Sequence, residues 1–341
     1  SPDSMKFELP PDPQYAASSL QPLSASGGTN ISVNLTVFSA NPEHSTLELD
    51  PSRTIAAFGD ADGDTFRANL SPISNKILSP GGSVDLVFES ALVDTSIYPG
   101  FYLVEAHLGG VENGNDYNKI IDTQSDSLEV EAAPRLSITS ILSPASVTAS
   151  LQPQWPVRMV IHNTGEASVD VSTIQEDTYI TMTIPGYGDV TGEYEIENPA
   201  SLEGSGTTIL AGNQVDTLVF KINSTGTTTG TAVINGQVTA SDVNSGDILL
   251  DETFTGGSGY VSVQSPAQLA ITETSISQAA VTSGQTASWS AELLVENLGE
   301  ATVTLDMDST GIYSDLPLEV PAPPAGFSEG GLTLSGGESK H

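Results

Sequence analysis

Hydrophobic and polar residues alternate with a period of two in many short segments of this chain. From Ile31 to Val37, every second residue is Ile, Val or Leu, and the residues between them are polar. Because successive side chains of a strand point to opposite faces, this pattern predicts a β-strand with one buried face. Turn-forming Gly, Pro, Asn and Asp separate the segments, and none has the period of an ordinary amphipathic helix. In the middle of the chain the predicted strands are Val157–Asn163, Ser168–Ser172, Tyr179–Ile184, Thr217–Ile222, Thr231–Ala240, Ile248–Phe254 and Tyr260–Val263.

One stretch occurs twice. Trp155–Val171 reads WPVRMVIHNTGEASVDV, and Trp289–Leu305 reads WSAELLVENLGEATVTL. The two Trp residues and the two Asn residues have the same offset, since 289 − 155 = 134 and 297 − 163 = 134. A constant offset over a strand, a turn and a second strand indicates a tandem repeat.

Two further matches extend the repeat towards the beginning of the chain. Ile77–Phe88 matches Ile209–Phe220, with an offset of 209 − 77 = 132. Ser127–Ile138 matches Tyr260–Ile271, with an offset of 260 − 127 = 133. The first repeat lacks the Trp and has Asn-Pro-Glu-His at 41–44 in place of the Asn-x-Gly-Glu turn. The repeating unit is therefore about 130 residues long.

These matches predict the domain organisation. We expect an extended lead-in at 1–16, whose first residues look like a tag remnant, then Ig-like repeats at 17–133 and 134–266, and an incomplete third repeat at 267–341. Short strands separated by turns predict an antiparallel β-sandwich for each repeat. The Pro linkers Ala132–Pro134 and Ser265–Ala267 are too short for free swinging. The expected architecture is therefore all-β, with tandem Ig-like antiparallel β-sandwich domains in an elongated arrangement.

The third repeat lacks part of the pattern. Leu332–Glu338 matches Thr208–Gln214, with an offset of 332 − 208 = 124, but the counterparts of Leu218–Phe220 and of all later strands are missing. Either a longer array is cut at this point, or a neighbouring chain supplies the missing strands by β-addition. The sequence leaves both alternatives open.

Composition and charge exclude several classes of function. The chain has 43 acidic and 9 basic residues, a net charge of −34, and no cysteine. Nucleic acid is excluded as a partner because neutralising phosphates requires clustered Lys and Arg, and anionic membrane surfaces are excluded for the same reason. Disulfides and thiolate metal sites are absent, and no apolar run approaches the roughly 20 residues of a membrane span.

The best candidate for a binding site is an acidic turn. Asp60, Asp62 and Asp64 alternate around Gly63, which can direct several hard oxygens at one point and suits Ca²⁺. The loop is not an EF-hand, since the Gly falls at position four and Ser71 occupies position twelve. A solvated acidic turn explains the same residues. Two other polar loops, Glu112–Asp116 and Asp242–Asp247, are better explained as hairpin tips.

Nothing in the sequence supports catalysis, and we expect no enzyme activity. Gly326–Gly330 matches the spacing of a hydrolase nucleophile elbow, but that motif needs a strand-to-helix turn and a later His. Here the surroundings are rich in Pro and Gly, and the later His is His341. A phosphate-binding loop and a dinucleotide fingerprint are both lacking.

Three phrases resemble a known class of domain. They are NTGEASV at Asn163–Val169, LAGNQVDTLVF ending at Phe220, and VTASDVNSGD at Val238–Asp247. They resemble the Ig-like repeats of bacterial surface and secreted proteins, in the style of CARDB and NEW3-like adhesion or stalk modules. The resemblance covers the second and third repeats well and the first more loosely, and it carries no functional residues across.

The resemblance implies an extracellular or cell-surface location and a structural or adhesive role within a longer polypeptide. The implied partners are neighbouring repeats of the same polypeptide and a protein or glycan at the cell surface. One alternative is an accessory region of a secreted polysaccharide-degrading enzyme, either carbohydrate-binding or a spacer. Another is a fibre subunit completed by strand exchange.

Overall fold

The computed structural model describes residues 10–43, 45–59, 65–72, 76–151, 153–253, 257–311, 327–328 and 330–341. These residues form β-strands and two short 3-10 turns, at Thr191–Glu193 and Met307–Ser309, and the all-β prediction is confirmed. The strands of the first part are β1 (Pro13–Gln21), β2 (Ser24–Ala25), β3 (Asn30–Ser39), β4 (Leu47–Leu49), β5 (Ile55–Gly59), β6 (Thr65–Leu70), β7 (Ile77–Leu78), β8 (Ser83–Leu92), β9 (Gly100–Glu112) and β10 (Asn115–Val130).

The remaining strands follow in two groups. The middle group is β11 (Leu136–Leu142), β12 (Ser146–Thr148), β13 (Trp155–Asn163), β14 (Val169–Val171), β15 (Tyr179–Ile184), β16 (Gly188–Asp189), β17 (Glu195–Glu197), β18 (Ile209–Leu210), β19 (Val215–Ser224), β20 (Gly230–Asp242), β21 (Ile248–Glu252) and β22 (Gly259–Gln264). The last group is β23 (Leu269–Ile276), β24 (Ala291–Asn297), β25 (Val303–Thr304), β26 (Thr333–Leu334) and β27 (Ser339–Lys340).

Strands β1–β10 form the first sandwich. Their order is β1-β3-β8-β6-β5-β9-β10-β2, with β4 paired to β7 and β9. β6 and β8 pair over only two residues, and strands from both sides of this short pairing line one core. Leu35 and Phe88 on one side share this core with Phe58 and Tyr102 on the other. The hydroxyl of buried Tyr102 donates to the carbonyl of Tyr98 at 2.8 Å, a contact also found at a corner of Ig sandwiches.

Strands β11–β22 form the second sandwich, which has two sheets. One has the order β11-β13-β19-β17, and the other has the order β12-β22-β20-β14-β18 with β15 and β21 also paired to β20. Val157 and Met159 of β13 pack in one core with Ile234 and Val238 of β20. The sheets approach so closely at Gly236 that a Cβ added there would lie 2.2 Å from Cε of Met159.

The strands predicted for the middle of the chain are all present, within a few residues of their expected bounds. The pattern did not predict β16, β17 or β18, which have two or three residues each and are too short to show alternation. Two pairs, β2 with β10 and β12 with β22, are parallel rather than antiparallel. In the second sandwich, the chain crosses from one sheet to the other between β11 and β12.

Strands β23–β27 form a smaller group. β23, β24 and β27 make a three-stranded sheet, and β25 pairs with β26. Trp289 repeats Trp155 in sequence, which predicts a core strand beginning there, but the structure differs: β24 begins at Ala291, and Trp289 is 42% exposed whereas Trp155 is 5% exposed. The physical reason is that, among the described residues, β24 has no long partner strand like the one β19 gives β13.

Candidate functional site at the joints between strand groups

The Asn-x-Gly-Glu-Ala turn binds the linker that enters its own group of strands. Asn163 ends β13 and is fully buried. Its side-chain oxygen accepts hydrogen bonds from the backbone nitrogens of Arg135 and Gly165, both at 3.1 Å. Its side-chain nitrogen donates to the carbonyl of Ala167 at 2.8 Å. One buried amide therefore fixes both the shape of the turn and the point where the linker becomes β11.

Glu166 binds the linker at Ala132, three residues before Arg135. Its Oε2 accepts a hydrogen bond from the backbone nitrogen of Ala132 at 2.9 Å. The carbonyl of Ala132 accepts from the backbone nitrogens of Glu166 and Ala167, at 3.1 and 3.0 Å. Both polar backbone groups of Ala132 are therefore bound by the turn, and none of these bonds uses a side chain of the linker.

The same arrangement occurs at the second linker. The side-chain oxygen of Asn297 accepts from the backbone nitrogens of Gln268 and Gly299, both at 3.1 Å. Oε2 of Glu300 accepts from the backbone nitrogen of Ser265 at 2.8 Å. The backbone nitrogen of Ala301 donates to the carbonyl of Ser265 at 3.0 Å. We call each of these arrangements a linker clasp, with Asn163 and Glu166 in the first and Asn297 and Glu300 in the second.

Glycine is required where the clasp meets the linker. A Cβ added to Gly165 would lie 2.2 Å from the carbonyl oxygen of Ala133, and one added to Gly299 would lie 2.0 Å from that of Pro266. These contacts are with backbone atoms, so neither can be relieved by rotating a side chain. The glycines allow linker and turn to pack backbone against backbone.

A second contact joins the first and second sandwiches. The loop Asp242–Asp247 connects β20 to β21, and its buried Asp242 accepts a hydrogen bond from the hydroxyl of Ser26 at 2.5 Å. The side-chain nitrogen of Asn244 in the same loop donates to Oε2 of Glu131 at 2.8 Å. The bond between Ser26 and Asp242 lies far from the linker clasp in sequence, so a second set of bonds adds to the clasp at the first joint.

The lead-in reaches the first sandwich in a similar way. The backbone nitrogen of Ala40 donates to the carbonyl of Asp12 at 3.0 Å, as that of Thr164 donates to Arg135 at 2.9 Å. By this correspondence Ser39, rather than Asn41, occupies the place of Asn163. The sequence alone pairs Asn41 with Asn163. The structure pairs Ser39 with Asn163 instead, because the first repeat lacks the Asn-x-Gly-Glu turn.

Charged and aromatic side chains hold this lead-in instead of a buried amide. Nζ of Lys119 contacts Oδ1 of Asp12 at 2.5 Å, and this hydrogen bond is the main reason that the pKa of Asp12 is lowered. The hydroxyl of Tyr117 donates to the carbonyl of Pro11 at 3.2 Å. Burial raises the pKa of Tyr117 to about 12, and the negative charges of Asp12 and Glu112 add to the effect.

The predicted calcium ligands Asp60, Asp62 and Asp64 lie outside the described residues. Within the described ranges, no three His, Cys, Asp or Glu side chains are grouped so that they could hold a metal ion. Glu112–Asp116 includes the tip of the β9–β10 hairpin, as predicted. Of the elbow-like sequence, Gly326 and Glu329 lie outside the described residues, and the backbone nitrogen of Ser328 donates to the carbonyl of His341 at 2.6 Å.

Calcium binding at the acidic turn stays a prediction. If Asp60, Asp62 and Asp64 bind Ca²⁺, millimolar Ca²⁺ is expected to raise the melting temperature, because a ligand that binds the folded state stabilises it by mass action. Asp62→Ala should abolish this rise. Calorimetry with and without Ca²⁺ is the measurement, and an unchanged melting temperature of the parent protein would count against the site.

The clasp residues carry a sequence signal, because Asn, Gly and Glu recur at the same places in two repeats, but the recurrence does not reveal that they bind the linker. A second signal was Gly212, which recurs as Gly336 at an offset of 336 − 212 = 124. A Cβ on Gly212 would lie 1.8 Å from the carbonyl of Glu166, and one on Gly336 would lie 2.3 Å from that of Glu300.

Comparisons with known proteins give no family. No family model matches the chain, and no curated protein matches it. In the described residues, no helix is long and apolar enough to cross a membrane. The specific resemblance to CARDB and NEW3-like modules therefore stays an expectation.

Similar solved structures include a bacterial adhesin, a domain of a bacterial polypeptide and a T cell receptor. The adhesin InvE of Yersinia pseudotuberculosis is 12% identical, with a TM-score of 0.23, over 69% of this chain and 57% of that chain. The C-terminal domain of the AgI/II polypeptide BspA of Streptococcus agalactiae is 10% identical, with a TM-score of 0.26, over 74% of this chain and 100% of that chain. A marsupial T cell receptor is 13% identical, with a TM-score of 0.23, over 74% of this chain and 100% of that chain. TM-scores this low establish no shared arrangement, so the β-sandwich assignment rests on the sheets described above.

Proposed function

We propose that this chain is a non-catalytic structural and adhesive segment of an extracellular or cell-surface bacterial protein. In this proposal consecutive β-sandwich repeats are held at set orientations by their linker clasps. The observation that carries the proposal is the recurrence of one clasp, with nearly the same distances, at both linkers. A mechanical role requires such joints, whereas catalysis does not.

The chemistry of the clasp suits a repeated array. Its bonds to Ala132 go to backbone atoms, as do two of its bonds to Ser265, so linkers of different sequence, AAP and SPA, fit the same turn. At the second linker the hydroxyl of Ser265 also accepts a hydrogen bond from the backbone nitrogen of Glu300 at 3.1 Å. The side-chain amides of Asn163 and Asn297 are buried, where hydrogen bonds resist competition from water better than at an open surface, whereas Glu166 and Glu300 are exposed. The net charge of −34 adds repulsion that keeps molecules soluble and apart.

An adhesive contact would use an exposed part of a sandwich. Phe101 and Leu103 lie two residues apart on the outer face of β9 and are 64% and 57% exposed. Because they are two residues apart on one strand, their side chains lie on the same face of it. This pair supports a protein or glycan partner at the cell surface in addition to a spacer role.

The test measures how firmly the first joint is held. The chain has no cysteine, so spin labels can be placed on Glu89→Cys of β8 and Glu252→Cys of β21, which are both exposed. A narrow distribution of label distances is expected for the parent. Combining Glu166→Ala with Asp242→Ala should broaden it, because the side-chain bonds that Glu166 accepts from Ala132 and Asp242 accepts from Ser26 are lost.

Exposed Glu176→Gln, in the second sandwich but away from the joint, is the matched control and should leave the distribution unchanged. A parent distribution as broad as that of the double variant would contradict the proposal, because the joint would then be flexible despite the clasp. Circular dichroism of each variant separates a loosened joint from an unfolded sandwich.

A further inference from the structure

A groove runs along the outer face of the second sandwich, over the end of β20. β14 and β15 pair with the same side of β20, and the chain between them, 172–178, leaves the sheet and forms one wall. The floor is the outward face of β20 at Thr239 and Ser241, and β21 lies on the other side. The groove has a volume of about 370 Å³, within the usual range for binding clefts.

Hydrogen bonds hold the wall of this groove in place. The backbone nitrogen of Ser172 donates to the carbonyl of Thr239 at 2.9 Å. The hydroxyl of Ser172 donates to Oδ2 of Asp177 at 2.8 Å, and the hydroxyl of Thr239 donates to the carbonyl of Asp177 at 2.9 Å. A ligand would therefore find the groove already formed, and little conformational freedom would be lost in the wall on binding.

The groove is negatively charged. Asp177 lies in the wall, and Asp170 of β14 is exposed directly opposite Ser241. The described residues that line the groove include no Lys, Arg or His. Neither carboxylate belongs to any ion pair found in the described ranges. The groove therefore favours a positively charged group that comes from outside it.

Apolar side chains flank the carboxylates. Ile174 of the wall is 61% exposed, and Ile248 of β21, opposite Ser241, is 72% exposed. Next to Ile248 on the same face, Leu250 is also exposed. Long basic side chains pack their aliphatic stems along such apolar surface while the charged head reaches polar groups.

The first sandwich has a corresponding place. The backbone nitrogen of Asp50 donates to the carbonyl of Gly109 at 2.8 Å, as that of Ser172 donates to Thr239 at 2.9 Å. The loop between β4 and β5 therefore corresponds to the wall of the groove, and Gly109 of β9 corresponds to Thr239 in the floor. A Cβ added to Gly109 would lie 2.4 Å from Cβ of Arg53, so the loop lies directly on the floor there.

A basic side chain fills this place in the first sandwich. Nη1 of Arg53 donates to Oδ1 of Asp116, and Nη2 donates to Oδ1 of Asn118, both at 2.9 Å. By the pairing of the strands, Asp116 and Asn118 stand where the second sandwich has Ile248 and Leu250. The outer face of this sheet thus binds a guanidinium of its own chain in one of the two sandwiches.

Charge is reversed at the same position of the second sandwich. The hydroxyl of Thr54 accepts a hydrogen bond from the backbone of β9, as that of Thr178 accepts one from β20, at 3.2 and 3.3 Å. The residues before these two threonines are Arg53 and Asp177. The second sandwich therefore has a carboxylate where the first has its guanidinium.

We propose that the groove of the second sandwich binds an arginine side chain from an extended segment of a partner protein. The guanidinium lies between Asp170 and Asp177, and the aliphatic stem packs between Ile174 and Ile248. A second copy of this chain is disfavoured as the partner, because each copy has a net charge of −34. The assignment names a partner class for the adhesive role and rests on that proposed function.

The test uses two synthetic peptides that differ in one charge. One is Thr-Val-Arg-Val-Thr, and the other has citrulline, which has nearly the same shape but no charge, in place of Arg. In NMR titrations of the whole chain, the Arg peptide should shift the amide signals of Ser241 and Ile248 saturably. The citrulline peptide should bind about tenfold more weakly or less tightly still, because hydrogen bonds to charged groups are lost.

Protein variants separate this groove from the overall charge of the chain. Asp170→Asn combined with Asp177→Asn should remove the advantage of the Arg peptide, and Asp170→Asn alone, at an exposed position, should remove part of it. Glu195→Gln is the matched control, since it removes one exposed charge on the other sheet of the same sandwich and should leave the affinity unchanged. Circular dichroism checks that each variant is folded.

Three results would overturn the assignment. The first is equal affinity of the parent and the double variant for the Arg peptide, which would indicate attraction to the net charge alone. The second is equal binding of the two peptides. The third is that neutral maltohexaose shifts the groove signals and the Arg peptide does not, which would indicate a glycan site. None of these results alters the spin-label distances at the joint, so this assignment and the proposed mechanical role can fail separately.

Discussion

Trp155→Ala is expected to lower the free energy of unfolding of the second sandwich by about 3–5 kcal/mol, the usual range for a buried Trp or Phe. Trp155 is buried at the start of β13, and its indole nitrogen donates to the hydroxyl of Thr225 at 3.0 Å. The substitution leaves a cavity beneath the sheet and removes the partner of a buried hydroxyl. Urea unfolding followed by circular dichroism measures the loss.

The repeat supplies a control for this prediction. Trp289→Ala changes the same residue of the repeated segment, but Trp289 is substantially exposed, and we expect a loss below about 1 kcal/mol. Similar losses for both variants would mean that Trp289 is buried in solution.

Asn163→Ala is expected to lower the stability of the second sandwich by about 3 kcal/mol, because several backbone groups lose their partner at once and each unsatisfied buried group costs about 1–3 kcal/mol. The nitrogens of Arg135 and Gly165 lose an acceptor, and the carbonyl of Ala167 loses a donor. The substitution should also free the linker, which makes the bond after Arg135 a better substrate for trypsin. Urea unfolding and the rate of cleavage at Arg135 are the two measurements.

Asn69→Ala is the matched control, since Asn69 lies on an exposed face of β6 and its loss should change neither measurement. Asn297→Ala should loosen the second linker in the same way, because the two clasps share their geometry. An Asn163→Ala protein that is as stable and as resistant to trypsin as the parent would show that the clasp does not hold the joint.

Strong alternation made the long strands predictable. In β3, β13 and β20, buried and more exposed residues alternate over nine residues or more. The buried faces of these strands could therefore be predicted from the sequence. The short strands β16 and β18 have two residues each, too few to show a period. They form because the strands next to them, β15 and β14, offer backbone partners. The parallel pairing of β12 with β22 also depends on where the chain crosses between sheets.

The candidate site was predictable in part. The recurrence of Asn, Gly and Glu marked the turn as important, but a sequence repeat does not say what a turn touches. The contact between Asp242 and Ser26 has no sequence signal, because the two residues are 216 positions apart and belong to different sandwiches. Such contacts arise when two folded surfaces meet.

By itself, the sequence determined the all-β class, the position of the long strands and the repetition of one segment, because each of these depends on local periodicity or on offsets along the chain. Tertiary structure decided that the repeated turn binds the linker, and that Trp155 is buried whereas Trp289 is 42% exposed. Burial depends on which strands lie opposite, and two copies of one segment can differ in their partners while agreeing in almost every residue that sets the local fold.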